Sequence, residues 1–159
     1  MIEESPEAFI SRWRQYAADV EMFAHTEGSP LLECRVGGAV LQLFERTGPY
    51  LSRPGPTSMI VNPTTNQLEP LDAENARPHV ESNGLGKMLA IGRVLAIDGK
   101  LAVIDAGVPL VVSLDDNGHR KVAEGDMVRV TSDGPIHAFV VTRADSGGIR
   151  RTEVLDDSI

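Results

Sequence analysis

Residues 88 to 143 hold five short runs rich in valine, isoleucine and leucine, with tight-turn signals between them and no helical period. The runs are Met88 to Ile97, Lys100 to Ala106, Val108 to Leu114, Met127 to Thr131 and Ile136 to Arg143. Asp98-Gly99 is a strong two-residue hairpin turn, and Asp115 to Arg120 and Ser132-Asp133-Gly134-Pro135 break the chain again. An open sheet of such strands would leave unpaired amides and carbonyls along its edges, so the pattern predicts closure into a small barrel. Gly92 lies inside the first run, where a bend or bulge is expected.

Gly92-x-Val94-x-x-Ile97, followed by Glu124-Gly125-Asp126-Met127-Val128-Arg129-Val130, resembles the strand punctuation of oligonucleotide/oligosaccharide-binding barrels and of SH3-like barrels. The likeness covers about a third of the chain and implies a fold, not a family. Taken with the first half, the reading is an α+β protein, mainly antiparallel β. An N-terminal amphipathic helix and β-hairpins come first, then a small five-stranded OB-like or SH3-like barrel. The expected division is a helix-plus-hairpin unit over 1–71, a linker or long loop over 72–87, the barrel over 88–143 and a polar tail over 144–159.

The helix begins at Ser5-Pro6-Glu7, where serine caps free amides, proline fits the first helical position and glutamate suits the positive end of the dipole. Helical spacing places Phe9, Trp13, Tyr16, Val20 and Phe23 on one stripe, and Gly28 and Pro30 set the end of the helix near residue 25. Leu31 to Val36 and Ala39 to Glu45 flank Gly37-Gly38 and read as a hairpin with Leu32, Cys34 and Val36 on its buried face. Ser58 to Val61 and Gln67 to Glu69 flank Asn62-Pro63-Thr64-Thr65-Asn66 as a second hairpin.

The chain is acidic, with 15 Lys+Arg against 23 Asp+Glu and a formal charge of −8. Through Lys87 it carries 7 basic and 12 acidic residues, and after it 8 and 11, so neither half attracts nucleic acid or anionic lipid at long range. One cysteine excludes an internal disulfide and any multi-cysteine metal site. An acidic amino terminus with no apolar signal core, and no apolar run of about 18 residues, lead us to expect a cytoplasmic protein with no membrane contact.

No catalytic or cofactor motif assembles, and no cofactor or metal is expected. Asn83-Gly84-Leu85-Gly86-Lys87 lacks the first glycine and the Ser/Thr of a phosphate loop, so it reads as a hinge. Cys34 reads as a small buried apolar residue. Three functions compete. The first is a non-catalytic binding or adaptor protein working through protein–protein contacts, docking a partner or a second copy as a homo-oligomer, with Phe9, Trp13, Tyr16 and Phe23 as the interface. The second is single-stranded nucleic-acid binding on a barrel face made by Arg93, Lys100, Arg129, His137, Phe139 and Arg143. It is disfavoured because only Phe139 of the seven aromatics falls in the expected barrel. The third is a small hydrolase-type enzyme using Asp105, His119 or His137 as acid or base.

Overall fold

The computed structural model describes residues 5–24, 26, 28–47, 53–65, 68–74, 76–84, 87–115 and 122–141. It is mostly antiparallel β, with one short helix and a closed five-stranded barrel. Helix α1 (Pro6–Trp13) starts as its sequence dictates: Ser5 is extended, and its side chain accepts a hydrogen bond from the Ala8 amide at 3.1 Å. It ends at Trp13, a 3-10 turn covers Arg14–Tyr16, and the chain turns extended at Ala17.

The helix is therefore much shorter than its apolar stripe suggested. Residues Ala18–Met22 form strand β1, in which Ala18, Val20 and Met22 face the core and Asp19 and Glu21 face out. Over five residues a period of two and a period of 3.6 fit the same letters, and pairing decides between them. β1 pairs with β2 (Leu31–Val36) on one side and β4 (Gly55–Asn62) on the other. The strand β3 (Ala39–Glu45) follows β2 through Gly37-Gly38, with Gly37 at φ +61°, as the hairpin pattern required.

The expected hairpin around Asn62-Pro63 does not form. β4 runs on through Pro63 into β5 (Thr64–Thr65) and then β6 (Leu68–Pro70), which belong to a second sheet. Its turn residues bond to that sheet instead of closing locally: Asn62 Nδ2 donates to Val111 O at 2.7 Å and Ser113 Oγ at 2.9 Å, and Pro63 O accepts from the Ser113 amide. Residues His79–Ser82, expected within a connecting loop, form β7.

The second sheet orders as β5, β10 (Pro109–Leu114), β9 (Leu101–Asp105), β8 (Met88–Asp98), β11 (Met127–Ser132), β6, with β7 beside β8. The five expected strands of the second half thus exist, but four of them build this sheet. The fifth, β12 (His137–Val140), crosses to the first half, lying parallel to β3 and antiparallel to β4. The closed barrel is β1-β2-β3-β12-β4, a Greek key whose last stave comes from the far end of the described chain. In return β5 and β6 flank the strands of the second half, and Thr65 Oγ1 donates to Thr131 O at 2.8 Å, so that sheet curls until β5 lies against β11.

One apolar core runs through both sheets, from Leu32, Leu41 and Leu43 to Ile104, Leu110 and Val128. A second, smaller cluster lies outside it, where α1 places Phe9, Ile10 and Trp13 against Ile60, Val103, Val111, Phe139 and Val141. Among the described residues, no helix is long and apolar enough to cross a membrane.

Candidate functional site

The reciprocal crossing of β5–β6 and β12 leaves a cleft on one side of the molecule. It has a volume of about 620 Å³ and is lined by Thr64, Thr65, Glu69, Arg129, Thr131, Asp133, Gly134, Pro135 and His137. That size lies within the usual range for ligand sites, and most of the lining side chains carry a polar group. Arg129 donates to Glu69 across β11 and β6 at 3.1 Å, a half-exposed pair that fixes orientation more than it stabilises. His137 sits opposite Phe44 in the β12–β3 register, and Arg46 Nη1 lies 3.5 Å from its Nδ1.

From His137 the surface continues onto the outer face of β2 and β3. The alternation that buries Leu32, Cys34 and Val36 turns Leu31, Glu33 and Arg35 outward, opposite Phe44, Gln42 and Val40. Leu31 and Phe44 are direct cross-strand partners, and they remain 41% and 42% exposed. Beside them is a 230 Å³ hollow lined by Thr26, Ser29, Leu31, Leu32, Glu33 and Gln42.

The structure distributes the sequence candidates differently. Phe9 and Trp13 are buried, with the Phe9 ring stacked on Phe139 at 4.4 Å and 27°, so neither is an open interface residue. The reason is local: the outer surfaces of β4, β9, β10 and β12 meet as an apolar seat, and α1 covers it. Tyr16 is half-buried beside Trp13. Phe23 lies beyond β1 on the opposite strand set, under the Arg35 guanidinium at 5.7 Å, so the four aromatics do not form one stripe.

Of the supposed ligand face, Arg129 and His137 do line the cleft. Phe139 is in the core instead of on a face. Arg93 donates to Gly125 O, and Lys100 stands in the β8–β9 turn, where its carbonyl accepts from the Leu114 amide. Neither lines the cleft. Arg143 and His119 lie outside the described residues. Asp105 accepts the Gly107 amide at 3.1 Å, a turn-forming bond, and it is not among the residues of the cleft that holds His137. Among the described residues, no three His, Cys, Asp or Glu side chains stand together as a metal site.

Cys34 is fully buried inside the barrel, and burial, with Glu33 and Glu45 nearby, pushes its thiol up to about 12. A thiol so rarely ionised is a poor nucleophile at neutral pH. Ellman's reagent at pH 8 is therefore expected to label Cys34 only as fast as the chain unfolds. Labelling within seconds of mixing with folded protein would contradict this placement.

The residues that carry the cleft and its neighbouring face were not all hidden. Strand alternation alone places Leu31 and Phe44 outward and opposite each other. Thr64, Glu69 and Thr131 have no such signal, because they meet only through the crossover. No protein-family model, curated protein or solved structure matches the chain.

Proposed function

We propose that the protein is a non-catalytic binding protein that works through protein–protein contacts, using the cleft and the adjoining β2–β3 face as its contact surface. The observation that carries this reading is the Leu31–Phe44 pair, two large apolar side chains left open side by side, with Leu31 lining the smaller hollow and Phe44 opposite His137 of the cleft. Binding energy at protein interfaces concentrates in a few apolar or aromatic anchors ringed by polar groups, and this surface has that composition. Of the other side chains, Asp105 holds a turn and Cys34 fills the core, while His137 lines the cleft. The charge of −8 works against a phosphate backbone at long range.

Selection of peptides from a displayed library on the immobilised full chain tests the reading. Binders are expected to emerge and to lose about tenfold or more in affinity for Phe44→Asp, compared at a temperature where circular dichroism shows both forms folded. Failure to select any binder above background, or binders indifferent to Phe44→Asp, overturns the proposal. Tight binding of a labelled oligonucleotide at the same surface also overturns it, in favour of a nucleic-acid ligand.

A further inference from the structure

Strand β7 stands off the main run of strands, paired with β8 along Met88 to Ile91 and lying against β3. Its buried side chain, Val80, is part of the main core. A Cβ added at Gly37, in the β2–β3 turn, would lie 3.8 Å from both Val80 Cγ2 and Val108 Cγ2. Val80 therefore seats where the β2–β3 turn of the barrel meets the β9–β10 turn of the second sheet. β7 is a short strap across that join.

The strap carries its own clamp. His79 Nδ1 lies 2.8 Å from Arg77 O, and His79 Nε2 lies 2.8 Å from Glu81 Oε2. Both oxygens are acceptors and a neutral imidazole has one N–H, so only the imidazolium donates to both. Residues two apart share a face of an extended chain, and the two bonds together hold residues 77 to 81 extended through Val80. On β8, Ile91 and Leu89 stand opposite His79 and Glu81, Arg93 donates to Gly125 O, and Asp98 pairs with Arg12. Beyond β8, Arg129 of β11 is held by Glu69 of β6. Asp105, at the end of β9, accepts the Gly107 amide, and Glu45, the ionisable residue of β3, accepts from Thr47 Oγ1. The like charge nearest in sequence is the guanidinium of Arg77.

We propose that β7 is a pH-released strap: the imidazolium of His79, bonded to Arg77 O and Glu81, holds it over the join of the two sheets, and loss of that proton loosens it. This goes beyond the contact surface proposed above and does not depend on it. The Arg77 carbonyl, and after it the Glu81 carboxylate, raise the pKa of His79 above its ordinary 6.5, against a small opposing effect of burial. A group whose pKa is higher in the folded chain stabilises it fully below the ordinary value, and that contribution is lost as pH rises through the folded value. The His79 and Glu81 side chains are 39% and 54% exposed, so water and salt screen the pair, and its effect falls on local opening of β7 instead of on global unfolding.

The test follows His79 and the amides of β7 by NMR in the full chain. Of the four histidines, His79 is the one whose ring signals vanish in His79→Gln. Its titration midpoint is expected above 6.5, and lower in Glu81→Gln at the same salt concentration. Hydrogen exchange at the protected amides of His79 to Ser82, corrected for the intrinsic change of rate with pH, is expected to speed by about two- to fivefold between about pH 6 and about pH 8, the size of effect an exposed pair supports. In His79→Gln the corrected rate should be the same at both. A midpoint at or below 6.5 in the unsubstituted chain overturns the inference, whether or not either variant folds. Equal corrected rates at the two pH values overturn it as well. A rise that persists in His79→Gln belongs to some other group and rejects His79 as the clamp.

Discussion

Replacing Gly92 with alanine is expected to destabilise the protein by about 3 kcal/mol or more, the upper part of the range for forcing extra atoms into a packed core. Gly92 lies on β8 with its missing side chain directed inward, and an added Cβ would stand 2.3 Å from Asp105 O, 2.6 Å from its carbonyl carbon and 2.8 Å from Ile104 Cγ2. Two of those atoms belong to backbone, so no rotamer change relieves the contact. β9 would have to move away from β8, and with it the register pairs Arg93–Asp105 and Val94–Ile104 that start their ladder. In a chain of this length each kcal/mol lowers the melting temperature by about 2–4 °C, so thermal unfolding followed by circular dichroism should show a fall near 10 °C. Gly92→Val should be worse. A Gly92→Ala variant melting within about 2 °C of the parent would show that the two strands do not approach as described.

Phe139→Ala is expected to cost about 3–5 kcal/mol, the usual range for emptying a buried aromatic site. Phe139 is 5% exposed on β12, stacked on Phe9, in the cluster that joins α1 to Ile60, Val103 and Val111. Its loss removes apolar contacts from the helix, from the barrel and from the second sheet together. Arg12 bonds Asp98 at 2.8 Å and ties the helix to the end of β8, which limits its movement into the gap. Trp13, the only tryptophan, lies on the same helix, so its emission should shift to the red in the variant as α1 loosens. An unshifted spectrum with an unchanged melting point would mean that Phe139 does not hold the helix down.

Much of the local plan was legible in the residues. The helix start at Ser5-Pro6-Glu7 and the hairpin at Gly37-Gly38 rest on interactions between near neighbours and form, and the turn expected at Asp98-Gly99 forms one residue on, at Gly99-Lys100, with Asp98 paired to Leu101. The closed barrel was also expected, but its staves were sought in the wrong stretch of chain. Closure is a property of pairing between distant strands, and nothing in residues 136–143 records that His137 will pair with Phe44 and Asn62 instead of with its own half. β1 was missed because five residues carry too little period to separate strand from helix. The cleft was invisible for the same reason as the crossover: it joins Thr64 and Glu69 to residues about sixty positions later. Gly92 marks a close approach of backbones instead of the bend itself, which the register shift places at Val94 and Ala96.

The origin of the fifth stave has a consequence for how the chain matures on the ribosome. Residues 18 to 62 emerge early, yet the slot between β3 and β4 stays vacant until residues 137–140 have been synthesised and exposed. Translation at roughly 5–20 residues per second leaves that apolar slot open for several seconds, during which any other extended segment can fill it. A nascent chain halted before β12 is therefore a sticky half-cylinder, and β12 acts as the latch that ends its exposure to chaperones and to other nascent chains.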